Sequence, residues 1–114
     1  GEDYVSTAKD TVRGTIIDGC KFYNGKGDKS IQLNAAEDAE ITNCYITGGQ
    51  TAIRLQESTS KRKNIKCSVR DTTFDKVPTA INVAGYTTLT VSGNTYKGVS
   101  EQYNGGPHTK IIKK

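Results

Sequence analysis

Three segments of the chain carry a polar side chain at the same place in the same short pattern. They are Ser30-Ile31-Gln32-Leu33, Ala52-Ile53-Arg54-Leu55 and Ala80-Ile81-Asn82-Val83, so Gln32, Arg54 and Asn82 correspond. Two positions beyond the first two stand Asn34 and Gln56. Amide side chains donate and accept at once, and a guanidinium offers five N–H donors in a flat fork. Stacked on one surface, such a set suits the hydroxyls and carboxylates of a glycan chain. Tyr45 adds a ring able to stack on a sugar, and Lys61 and Arg62 add positive charge in the polar stretch 58–63. The plainer reading of the same residues is an ordinary solvated sheet face.

Other reactive residue types offer less. Three cysteines cannot all pair within one chain. Cys20 and Cys44 fall in one inward column of the repeat described next, about 4.8 Å apart, where parallel side chains are poorly placed for a disulfide. Cys67 falls in another column, with Ala39 and Leu89. All three are expected as buried free thiols that behave as small apolar residues. No CxxC spacing or partnering histidine points to a metal held by cysteine, and the one histidine is His108, in the tail.

The elements that position these residues come from a repeat. Ile17-Asp18-Gly19-Cys20-Lys21-Phe22, Ile41-Thr42-Asn43-Cys44-Tyr45-Ile46, Val69-Arg70-Asp71-Thr72-Thr73-Phe74 and Val91-Ser92-Gly93-Asn94-Thr95-Tyr96 align column by column. The first column is β-branched throughout. The third (Gly19, Asn43, Asp71, Gly93) holds residues that tolerate the left-handed backbone of a sharp corner. The sixth is large and apolar. The copies recur 24, 28 and 22 residues apart. Seven residues after Ile46, Phe74 and Tyr96 come Ile53, Ile81 and Tyr103, each within an alternating strand pattern. A third short strand precedes each corner, and nothing helical separates them. Three short strands per period of twenty-odd residues predict an all-β chain, a β-solenoid of about four rungs.

The whole chain, 1–114, reads as one domain: a lead or N-terminal cap over 1–11, rungs over 12–105, and a tail, cap or final strand over 106–114. Between Leu55 and Val69 the spacing is six residues longer than in the neighbouring rungs, which predicts a basic surface protrusion. The net charge of +4 is split between that loop and the tail. It lacks the basic stripe interleaved with aromatics of a nucleic-acid binder, so no nucleic-acid partner is expected. No apolar run approaches the roughly 18 residues of a membrane span, so no membrane partner is expected either; with no leader pattern in the sequence, any secretion signal is expected to have been removed or never to have existed.

The runs Ile41-Thr42-Asn43-Cys44-Tyr45-Ile46-Thr47-Gly48-Gly49 and Ala52-Ile53-Arg54-Leu55 resemble rungs of the right-handed parallel β-helix, or pectate-lyase-like, superfamily. The resemblance spans roughly residues 12–105 and implies a single-stranded right-handed parallel β-helix. It also implies an extracellular, secreted or virion-surface protein that meets a polysaccharide or cell-surface glycan. Three roles follow from it: a non-catalytic attachment module of a tailspike, tail fibre or surface protein; a small calcium-dependent polysaccharide lyase; or a structural domain that forms a homotrimer or larger assembly. In the lyase reading Arg54 is the base and Glu37, Asp38 and Glu40 hold calcium; otherwise no cofactor is implied. Hydrolases of the superfamily carry a Gly-Asp-Asp run, but here Gly27-Asp28-Lys29 keeps one acid and replaces the other with lysine. Four rungs stand only about 20 Å tall at about 4.8 Å each. That leaves little wall for a water-excluding site and weighs against catalysis.

Overall fold

Alternation of apolar and polar residues produces short strands throughout, and no helix forms among the described residues. The computed structural model describes residues 5–6, 12–25, 27–34, 36–56 and 64–114. In chain order the strands are β1 (Val5–Ser6), β2 (Val12–Arg13), β3 (Ile16–Asp18), β4 (Lys21–Asn24), β5 (Lys29–Asn34), β6 (Ala36–Glu37), β7 (Glu40–Thr42) and β8 (Tyr45–Gly48). They continue as β9 (Thr51–Gln56), β10 (Asn64–Arg70), β11 (Thr73–Asp75), β12 (Thr79–Val83), β13 (Thr87–Ser92), β14 (Thr95–Lys97), β15 (Glu101–Gly105) and β16 (Thr109–Lys113). Three parallel sheets result. One runs β1-β5-β9-β12-β15 and one β4-β8-β11-β14; the third combines β2, β3, β6, β7, β10, β13 and β16. The chain visits the three in rotation, and each circuit stacks on the last. This is a right-handed parallel β-helix of about four turns.

The observed register reproduces the columns read from the sequence. Ile17 pairs with Ile41, Ile41 with Val69 and Val69 with Val91. Phe22, Ile46, Phe74 and Tyr96 form a second column, and Ile31, Ile53, Ile81 and Tyr103 a third. All of these but the two tyrosines are buried. Each contributes about 1.5–3 kcal/mol by leaving water. Ser30, Ala52 and Ala80 are fully buried just before the third column. Consecutive inward residues fit there only because the first of each pair is small.

The two-residue corners between β3 and β4, β7 and β8, β10 and β11, and β13 and β14 explain their own composition. Gly19, Asn43, Asp71 and Gly93 all adopt positive φ, between 51° and 68°. Their N–H groups bond the next rung: Gly19 to Thr42 O, Asn43 to Arg70 O and Asp71 to Ser92 O, at 3.0–3.1 Å. The residue after each of them lays a polar side chain along the stack. Cys20, Cys44 and Thr72 donate to the carbonyls of Asp18, Thr42 and Arg70, each two residues back. Thr72 Oγ1 and Asn94 Oδ1 also accept the N–H groups of Cys44 and Thr72 from the rung before, at 3.5 and 3.0 Å. Asn94 Nδ2 donates to Val69 O at 3.0 Å. Cysteine, threonine and asparagine interchange here because each can donate to a carbonyl.

One expectation is corrected at this corner. Cys20 is exposed, not buried, whereas Cys44 and Cys67 are buried; all three are free. A corner side chain is covered by the rungs on both sides of it. Cys44 lies between Cys20 and Thr72, but Cys20 has a described neighbour on one side only. Burial raises the Cys44 thiol, and it lifts Cys67 to about 11. The stretch 106–114 supplies β16, which pairs with β13, so the final-strand alternative holds there. Val5–Ser6 pairs with Ile31 and Gln32 ahead of the first full rung. The basic protrusion lies outside the described residues.

The enlarged turn after β4 rests on close backbone contact. Asn24 is buried and its Oδ1 accepts the Gly27 N–H at 2.9 Å, folding the turn onto β8. Gly48 lies directly against it: a Cβ there would stand 1.7 Å from Asn24 O, and φ is +81°. Gly48→Ala is therefore expected to lower stability by about 3 kcal/mol or more. Gly25→Ala, where a Cβ meets nothing within 4 Å, should stay within about 0.5 kcal/mol of the parent in the same urea titration. Equal midpoints for the two variants would refute this account of the turn.

The cysteines yield two further expectations. Iodoacetamide at pH 8 should label Cys20 alone in the folded protein and all three thiols in urea, as read by intact mass. Cys67 keeps its proton in the folded chain up to about 11 but loses it near 9.0 when unfolded. The stabilisation from a neutral buried thiol is whole below pH 9 and is lost as pH rises through 11. That loss is on the order of 2 kcal/mol. Cys67→Ala should lose less stability than the parent between pH 9 and pH 11; parallel declines would count against the assignment.

Candidate functional site

Strand alternation aims every second residue of β5, β9, β12 and β15 away from the core. Gln32, Arg54, Asn82 and Asn104 pair in register across that sheet, so the expected polar ladder forms with Asn104 as its fourth member. Asn34 and Gln56 pair in the same register, two positions on. Gln32, Arg54, Gln56, Asn82 and Asn104 are each half-buried, pressed between rungs.

The two halves of this ladder differ in how their hydrogen bonds are used. Toward the C-terminal rungs the groups satisfy one another. Asn82 Nδ2 donates to Asn104 Oδ1, and Asn104 Nδ2 donates to Glu101 Oε1 at 2.7 Å. Thr79 Oγ1 also reaches Glu101 Oε1, at 3.5 Å. Arg54 is different. It forms no ion pair with any described residue, and its buried Nε has no hydrogen-bond partner. Arg54 is thus an arginine fork held in a row of amides with one desolvated donor unmatched.

Tyr45 lies on the neighbouring face, as the strand alternation predicts. It lies on the sheet containing β4, β8, β11 and β14, in the outward column with Lys21, Thr73 and Thr95. Its hydroxyl donates to Asp75 Oδ2 at 2.6 Å, and that bond, ahead of burial, raises its pKa. Tyr23 lies 5.7 Å away, tilted by 47°, and is 64% exposed. Tyr45 and Tyr23 thus form a small aromatic patch that the sequence reading caught only by half. Its signal was the alternation of β4, which turns Tyr23 outward like Lys21.

Other residues singled out from the sequence are placed as follows. Glu37, Asp38 and Glu40 do not converge: no group of three acids, cysteines or histidines suited to a metal occurs among the described residues. Asp38 sits at positive φ in the bend between β6 and β7. Glu40 lies beyond that bend and is held by Arg70 at 3.1 Å. Asp28, the lone acid of Gly27-Asp28-Lys29, is bound by Lys29 Nζ at 2.7 Å. Lys61 and Arg62 lie outside the described residues. His108 stacks on Tyr86 at 4.3 Å, between corresponding turns of successive rungs.

No curated protein and no solved structure matches the chain. A family model described as the right-handed β-helix region matches residues 8–106. That range takes in the four corners, the three inward columns and the ladder with Arg54 at its centre, and on both grounds the chain belongs to the right-handed β-helix family.

Proposed function

We propose that the protein is a non-catalytic carbohydrate-binding module that takes an acidic polysaccharide on the outer face of β5, β9 and β12. The observation that carries this reading is Arg54, a guanidinium with no acceptor among the described residues, in the middle of a register of amides. Arg54 receives a carboxylate or sulfate of the glycan, and the Gln32 and Gln56 amides meet adjacent hydroxyls. Asn82 is engaged by Asn104 and keeps its carbonyl oxygen for a sugar hydroxyl. Successive rungs repeat these donors at one strand spacing, about 4.8 Å. The face therefore suits an extended polymer better than a compact small molecule. Such a module acts in attachment at a cell or virion surface.

The ladder holds no metal cluster among the described residues, and Arg54 is flanked by amides, not by acids. Binding without turnover is what this arrangement supports. The test is retention on a panel of acidic and neutral polysaccharides, with calcium and then with a chelator, recording unsaturated sugar ends from the same tubes. The expected result is retention on an acidic polymer with no product at any stage. Arg54→Ala should weaken retention by roughly ten- to a hundredfold, the scale of a lost charged hydrogen bond. Arg54→Lys should restore part of it. Chelator-sensitive product would favour a lyase; no retention and no product would leave assembly as the role.

A further inference from the structure

The strands β5, β9, β12 and β15 hold two cations, Lys29 and Arg54, and one carboxylate, Glu101. Lys29 is spent on Asp28 Oδ2, at 2.7 Å. Arg54 and Glu101 therefore set the charge along the ladder. Glu101 lies on the strand two rungs beyond Arg54, about 10 Å along the stack. Between the two charges stand Asn82 and Asn104, and Glu101 decides how both amides are turned.

An ionised carboxylate only accepts hydrogen bonds. Asn104 must therefore present its nitrogen to Glu101, and Nδ2 donates to Oε1 at 2.7 Å. Thr79 Oγ1 reaches the same oxygen at 3.5 Å and braces it. With its nitrogen committed, Asn104 has its oxygen left for the rung before, and Oδ1 accepts from Asn82 Nδ2. Asn82 is thereby turned in the same sense, and its own oxygen is the acceptor it offers a ligand. The face makes its demands in a fixed order. Arg54 brings an unmatched donor, Asn82 one rung on brings an acceptor, and the next rung brings a negative charge.

We propose that the relay from Glu101 through Asn104 to Asn82 sets the specificity of this face, so that it takes a sparsely acidic polysaccharide, one whose charged sugars are flanked by uncharged ones. The inference rests on the Arg54 reading and narrows it. Glu101 and Asn104 are positioning residues in this scheme, acting through Asn82. A carboxylate seated at Arg54 receives the guanidinium, and a hydroxyl of the next sugar donates to Asn82 Oδ1. A second carboxylate at Asn82 would set acceptor against acceptor. One placed a rung further would approach Glu101, like charge to like charge. A polymer charged at every sugar therefore gains at Arg54 and loses along the rest of the ladder. A neutral polymer satisfies Asn82 and leaves Arg54 Nε unmatched.

The experiment uses polygalacturonate methyl-esterified to graded degrees, which keeps one backbone and varies the number of charges on it. Equilibrium binding of each member to the protein is measured at constant ionic strength. Affinity is expected to peak at intermediate esterification and to fall about three- to tenfold toward the fully charged and the fully esterified polymers. Asn104→Ala cuts the relay and frees Asn82 to turn its nitrogen outward; Glu101→Gln removes the charge that orients it. Each should move the optimum to the unesterified polymer, whereas loss of a merely structural contact would weaken binding to every member alike. An affinity in the parent that climbs steadily to the unesterified polymer would overturn the proposal. So would a folded Asn104→Ala or Glu101→Gln protein that keeps the parent's optimum. A steady climb that Arg54→Ala abolishes would sink this inference and leave the Arg54 reading standing, while no binding at any degree of esterification would remove both.

Discussion

Everything in this molecule depends on one corner repeated four times. Two residues must turn the chain from one sheet into the next and still pass hydrogen bonds to the rung beside them. The first can do so only at positive φ, which for an L-residue other than glycine costs about 1 kcal/mol. Glycine, asparagine and aspartate are the residues found there. The second residue recovers stability by placing a donor along the stack. The Cys44 thiol, the Thr72 hydroxyl and the Asn94 amide then perform one role with three chemistries. If the corner failed in one rung, the columns of Ile41, Ile46 and Ile53 would lose register together, because a one-residue slip turns every side chain to the opposite face.

That dependence explains why the fold was legible from the residues. A solenoid core is local in sequence: each inward residue touches its counterpart about one period away. A column such as Ile31, Ile53, Ile81 and Tyr103 is therefore visible as spacing alone, and its pairing followed in full. The ladder of Gln32, Arg54 and Asn82 was legible for the same reason. Properties that depend on neighbours outside the period were not. The exposure of Cys20 follows from its place at one end of a stack, not from its column. Glu37, Asp38 and Glu40 look like a cluster when written in a line, but they form no metal-suited group, and Glu40 is engaged by Arg70 from the neighbouring rung. The capture of Asn82 by Asn104, and of Asn104 by Glu101, needed side-chain geometry that spacing does not carry.

The difference between the two halves of the ladder bears on function more than the ladder itself does. Stacked amides are good neighbours to one another, and the Asn82–Asn104–Glu101 chain shows how readily a polar column satisfies its own bonds. A position that stays unsatisfied within such a column is informative because satisfaction was available nearby. Arg54 is that position. A carboxylate one rung away would have neutralised it; the amides beside it in register, Gln32 and Asn82, carry no charge. The β-helix itself says nothing of ligand, since its corners and columns serve architecture alone.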